Sequence, residues 1–202
     1  MRTKFIFSVL GVLLCYGGMA KATTVDFNDH QTCIIENGDN YDRITLHDYA
    51  SVNMIGGEVT GFTTFNSSYI TLSGGLIHSG ISTFNNTVIE MNGGSVLNLE
   101  LGNSSIMYLS GGNIDGVVSI FENAVLHIYA KDFLYTPEEY GFGGLSGHWI
   151  NDTEFSIDFR FLQTPFLTGS SVVMHIVPEP CSFGLIVFGF FIVRRAIKIP
   201  HK

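Results

Sequence analysis

The chain has 202 residues, 46% hydrophobic and 14% charged, with 23 glycines, three cysteines and a formal net charge of −8. That is one domain's worth of chain, and the low charged fraction excludes a disordered acidic tail or a charged helical bundle while the glycine and aromatic content favours β-structure. Seven of the ten basic residues lie at the two ends, so residues 23–177 oppose only Arg43, Lys131 and Arg160 to seventeen acids, a balance of −14 that excludes electrostatic binding of nucleic acid or anionic lipid.

Residues 1–22 read as a secretory signal peptide. Arg2 and Lys4 form its positive start, Phe5 to Tyr16 its apolar run, and Ala20-Lys21-Ala22 a small-x-small cleavage site, with Thr23 the expected mature N-terminus. A lipoprotein signal acylated on Cys15 would need a small residue where the bulky Leu13-Leu14 stand.

Residues 23–133 carry a repeat. The pairs Gly56-Gly57, Gly74-Gly75, Gly93-Gly94 and Gly111-Gly112 are spaced 18, 19 and 18 residues apart. Four before each pair stand Val52, Ile70, Ile89 and Met107; two before, Met54, Leu72, Met91 and Leu109; three after its first glycine, Val59, Ile77, Val96 and Ile114. Between the first two sets the residue varies as Asn53, Thr71, Glu90 and Tyr108, the alternation of a half-buried strand. Eight before the pair come Asp48, Asn66, Asn85 and Asn103, and six before it the small Ala50, Ser68, Thr87 and Ser105. Asn and Asp tolerate the left-handed backbone of a tight corner, and a Gly-Gly pair suits a second corner that needs positive φ or no Cβ. A fifth unit replaces Gly-Gly by Ala130-Lys131 and keeps Glu122, Ala124, Leu126, Ile128 and Phe133 in register, while Ile44 and Leu46 read as a strand before the first pair.

A unit this short cannot hold a helix pair, and apolar spacing of two excludes a helix. The expected fold is all-β, a parallel β-solenoid (β-helix) of about five to six rungs stacked about 4.8 Å apart, with Asn66, Asn85 and Asn103 above one another. The Asp- and Asn-rich segment 23–42 is expected to shield one open end. Residues 134–177, after Thr136-Pro137, hold three further strand patterns and read as a β cap on the other.

Residues 178–202 run Pro178-Glu179-Pro180, the apolar stretch Cys181 to Val193, then Arg194-Arg195 and Lys198. This order resembles the sorting tail of the PEP-CTERM family: a Pro-Glu-Pro motif, a hydrophobic helix and an Arg-rich terminus. The resemblance implies a bacterial protein carried by the export machinery, held in the inner membrane by its C-terminal helix, and handed to exosortase, a membrane-embedded protease-transpeptidase that recognises and removes the tail. The apolar stretch alone spans about 20 Å against roughly 30 Å of bilayer hydrocarbon, so Ala196-Ile197 would extend it while Arg194 and Arg195 snorkel. With Cys15 and Cys181 removed, Cys33 remains alone and no disulfide framework is possible.

Motifs for chemistry are sparse. The three basic residues of the body fall in three different regions of sequence, which does not suggest lyase chemistry, and Glu58, Glu90, Asp115 and Glu122 form no repeating column of acids for a hydrolase. The calcium nonapeptide fails after Gly56-Gly57, where Val59 replaces the third glycine. Sequons at Asn66, Asn85, Asn103 and Asn151 are explained by turn chemistry, and the histidines recur at no common position, so neither metal nor cofactor is expected. The expected function is an exported, non-catalytic structural or adhesive protein of the cell surface or extracellular polysaccharide; the alternative is a carbohydrate-active enzyme or saccharide-binding module on a β-helix.

Overall fold

A computed structural model describes residues 24–137, 142–161 and 172–178. All regular structure in them is β, sixteen strands coiled into a solenoid of about six turns. Each turn contributes to three faces. The first face stacks β2 (Thr32–Ile35), β4 (Ser51–Met54), β6 (Tyr69–Leu72), the starts of β8 (Val88–Val96) and β10 (Ile106–Ile114), then β12 (Val125–Ala130) and β16 (Val172–Ile176), all parallel. The second face is narrow, made by the starts of β3 (Asn40–Leu46), β5 (Glu58–Thr64) and β7 (Leu76–Thr83) and the ends of β8 and β10. The third stacks β1 (Thr24–Phe27), the ends of β3, β5 and β7, then β9 (Leu99–Leu101), β11 (Val117–Ile120) and the end of β15 (Glu154–Phe161).

The interior consists of columns of like residues. Val52 pairs with Ile70, Ile70 with Ile89, Ile89 with Met107 and Met107 with Leu126; one step along, Met54, Leu72, Met91, Leu109 and Ile128 do the same. Val59, Ile77, Val96 and Ile114 form the second-face column. All of these side chains are buried, and Thr71 and Tyr108 between them face out. Strand alternation therefore becomes an inside and an outside with one continuous apolar core.

The corners explain the repeat's fixed residues. Asp48, Asn66, Asn85, Asn103 and Glu122 all have φ between 47° and 63°. Asn85 donates from Nδ2 to Asn66 Oδ1 at 3.0 Å, and Asn66 donates to Asp48 Oδ1, so the corner is a side-chain ladder. Behind it the small residues are buried, with Thr64 donating to Thr87 at 3.0 Å and Thr83 to Ser105 at 2.9 Å. At the other corner the two glycines have different reasons. The second of each pair has φ from 75° to 90°. A Cβ on Gly74, Gly93 or Gly111 would stand under 3.0 Å from a carbonyl oxygen of the turn below.

Two expectations need correction. Segment 23–42 is not merely a shield: β1 opens the third face, and β2 with the start of β3 forms a full turn whose corner is Asn37-Gly38, with Gly38 at φ 96°. Phe133 does not continue the Ile114 column. It lies on β13 (Asp132–Pro137), opposite Gly147 of β14 (Phe142–His148), in an antiparallel meander β13-β14-β15 that rejoins the third face through β15. The change is local: where the other turns have Gly-Gly this one has Ala130-Lys131, β12 ends at Ala130, and the Lys131 N–H donates to His148 O at 2.9 Å, so the chain turns into the meander instead of continuing the second face. Trp149 and Phe155 cover the exposed end of the core, and the Trp149 indole N–H donates to Gly112 O at 3.1 Å.

Candidate functional site

The third face carries an open groove on its outer side. Its outward positions form one parallel ladder, Thr45, Thr63, Ser82, Glu100, Ser119 and Arg160. Beside it runs a second line in which Arg43 is followed by Gly61 and Gly80, two positions with no side chain. Small hydroxyls on one line and missing side chains on the other leave an open groove of about 490 Å³, with Arg43, Glu100 and Arg160 its charged residues. At about 4.8 Å per turn, five steps place the two arginine levels about 24 Å apart.

Particular residues shape the trough. The third turn holds one residue more than the second here, inserted between Ile77 and Gly80. Gly80 has φ 149°, and a Cβ on it would strike Asn98 O. Asn98 donates from Nδ2 to Ser79 O at 3.2 Å, and its Oδ1 accepts the Val117 N–H at 3.1 Å, stapling three turns at the groove's rim. Ser82 donates to Glu100 Oε2 at 3.0 Å, fixing the carboxylate over the floor.

Electrostatics set this groove apart. Of the three cations between residues 23 and 177, Lys131 pairs with Asp152 at 2.7 Å, and the other two both line the groove. Its lining thus holds two arginines and one glutamate on a body of −14, with Asp158 two residues before Arg160 on the same outward face. Sequence reasoning, which placed these cations in separate regions, missed this. Arg43 and Arg160 come together only because the first and sixth turns share a face, and Arg160 arrives by way of the meander.

A second cluster ties down the last strand. His127 Nδ1 and His175 Nε2 are 3.0 Å apart, between β12 and β16, with Tyr108 stacked on His127 and Tyr129 on His175. Burial, then the neighbouring His175, holds the His127 pKa below the ordinary imidazole value. On the meander, His148 bonds Asp132 through Nδ1 at 3.0 Å and through its backbone N–H at 2.9 Å, and the Nδ1 bond is the main cause of a lowered Asp132 pKa. Among the described residues no group of three or more His, Cys, Asp or Glu side chains is arranged to hold a metal.

The repeat residues singled out in sequence, the four Gly-Gly pairs and Asn66, Asn85 and Asn103, occupy the corners; none lines the third-face groove, while Gly57 and Gly75 line a smaller cavity of about 320 Å³ beside Gly38. Of the sorting motif, Pro178 is exposed just after β16. Glu179, Pro180, Arg194 and Arg195, like Ala20 and Ala22 of the signal, lie outside the described residues. The chain matches no protein-family model, and no curated protein or solved structure shows significant similarity to it.

Proposed function

We propose that this is an exported, non-catalytic structural or adhesive protein of the bacterial cell surface or extracellular matrix, sorted by a PEP-CTERM-type tail. One observation carries the structural half of the reading: successive turns set like residues above like in the core and at the corners, so the strands repeat at about 4.8 Å and the body is a stiff spacer. The sorting half rests on the tail's three-part order behind a signal peptide. It is supported by the place where the body ends: the Val177 N–H bonds Ala130 O at 2.9 Å, and Pro178 follows exposed. An exposed Pro178 directly after the last strand is what a tail open to a membrane-embedded exosortase requires.

The rival, a glycoside hydrolase on the same scaffold, needs two carboxylates about 5 to 9 Å apart in one cleft. The third-face groove is lined by one, Glu100, whereas a cleft of about 510 Å³ between the solenoid and the meander is lined by three, Asp115, Glu154 and Asp158, so the rival is to be sought there. The test is the mass of the protein exported from a host that makes exosortase. The expected product lacks the tail, and replacing Pro178-Glu179-Pro180 by alanines blocks its removal. Exported protein intact through Lys202, or processing indifferent to the motif, overturns the sorting reading.

A further inference from the structure

We propose that the corner between the third and first faces holds one sugar ring of a neutral, β-glucose-type polysaccharide, sandwiched between Phe84 and Phe121 over Gly102 and met at the rim by the Asn103 amide. This deepens the adhesive reading and rests on it only for where the polymer is encountered.

The site comes from two ladders that break at the same rung. Where each turn leaves the third face, the next residue extends a stacked column: His47 after Leu46, Phe65 after Thr64, Phe84 after Thr83, Gly102 after Leu101 and Phe121 after Ile120. The Gly102 N–H donates to Thr83 O at 3.1 Å and the Phe121 N–H to Leu101 O at 2.8 Å, which keeps the column in line. His47, Phe65 and Phe84 stack with ring centroids 4.9 and 5.2 Å apart and planes within 13°. The stack stops at Gly102 and resumes with half-buried Phe121. Two steps of about 4.8 Å separate the Phe84 and Phe121 levels, room for one ring between them. The gap is fixed by the backbone, since a Cβ on Gly102 would stand 2.9 Å from Thr83 O. Phe84, beside the gap, is 40% exposed, more than His47, Phe65 or Phe121. One residue further on, the amide ladder ends at this rung too. Asn66 donates to Asp48 and Asn85 to Asn66, but the Asn103 amide has no hydrogen-bond partner among the described residues.

Two phenyl rings with an amide at the rim suit a ring that is apolar on both faces and polar at its edge. A β-linked glucopyranose has that form, because all its substituents are equatorial: axial C–H groups cover both faces and the hydroxyls point outward. A purely aromatic ligand would leave the Asn103 amide without a partner. A polyanion is disfavoured, because Glu122 follows Phe121 at the same corner and residues 23–177 carry −14. The rings stack along the solenoid axis, so the sugar enters edge-on and its chain crosses the corner. Gly102 is buried at the base, so the sugar touches the rings and the amide and not the backbone.

The experiment titrates the full chain with cellohexaose at physiological salt by calorimetry. Parallel arms use the β-linked mannose hexamer, whose axial hydroxyl spoils one apolar face, and the β-linked glucuronic acid hexamer. The expected result is binding of cellohexaose and severalfold weaker binding of the other two. Phe84→Ala and Phe121→Ala should each weaken cellohexaose binding on the order of tenfold, the worth of one stacked ring. Asn103→Gly should weaken it severalfold, and glycine accepts the φ of 56° there, so the corner is kept. Phe84→Tyr should retain binding, which separates loss of the ring from loss of the fold. His47→Ala, two turns from Phe84 at the far end of the stack, should leave binding unchanged. Absence of cellohexaose binding, equal binding of the mannose hexamer, no effect of Phe84→Ala and Phe121→Ala, or a loss with His47→Ala as large as with Phe84→Ala overturns the proposal. Because the assay uses purified protein, failure here leaves the sorting reading standing, and a failed mass test leaves this one standing.

Discussion

Each position in the repeat has a separate physical task, and neighbours along the chain have opposite ones. Leu72 is buried between Met54 and Met91, whereas Thr71 faces out between Asn53 and Glu90. Leu72→Ala should cost about 2 to 5 kcal/mol in denaturant unfolding, and Thr71→Ala under about 1 kcal/mol. Gly74→Ala and Gly75→Ala should both destabilise, by roughly 1 to 3 kcal/mol, for different reasons. The first drives a Cβ into Ile55 O, and the second forces a side chain into φ 85° and against Gly56 O. At this scale the sequence was legible, because a period of 18 or 19 residues repeats each task several times and chance cannot imitate twelve apolar positions in register. The corner at Asn37-Gly38 escaped notice because a single glycine, preceded by Asn, carries none of the paired signal.

Between elements, the informative places are those where stacking changes its rule. The meander β13-β14-β15 begins where the glycine corner fails, a consequence that becomes visible only once the close approach of Gly111 to the Asn92 carbonyl is known. The groove was illegible for a related reason: its two arginines belong to distant turns, and no local pattern links them. Beyond the meander, β16 is held on β12 partly by the His127–His175 pair, flanked by Tyr108 and Tyr129. Since the folded His127 pKa lies below 6.5, the unfolded chain takes up the proton first as pH falls. Stability from this group therefore rises with pH and is lost as pH drops through about 6.5 toward the folded value. Hydrogen exchange at Val172–Ile176, corrected for intrinsic rates, should quicken between about pH 7.5 and pH 5.5 more than exchange in β4 or β6, and His127→Gln should remove most of that difference. Uniform pH dependence across the first face would contradict the assignment. Asp132 behaves in the same direction at lower pH: its depressed pKa means that the His148 contact contributes above the ordinary carboxylate range and is lost as Asp132 protonates.

The described residues form a short rod of stacked turns, and the sequence from 23 to 177 is strongly acidic. Such a body should pass through heparin at about 0.15 M salt, since a balance of −14 outweighs two arginines for a dense polyanion; retention there would show that the surface field has been misjudged. The account depends most on the coil itself, because the core columns, the corner ladders and the groove exist only if successive turns lie one above the next. Asp29 and Glu122 both have positive φ at the same corner, five turns apart. Spin labels at these two positions, with Cys15, Cys33 and Cys181 replaced by alanine, measure the stacking directly by pulsed dipolar spectroscopy. Five steps of about 4.8 Å predict a narrow distribution near 24 Å, broadened only by the label arms. A distribution centred beyond about 40 Å, or one too broad to define a distance, would mean that the turns do not stack as described here.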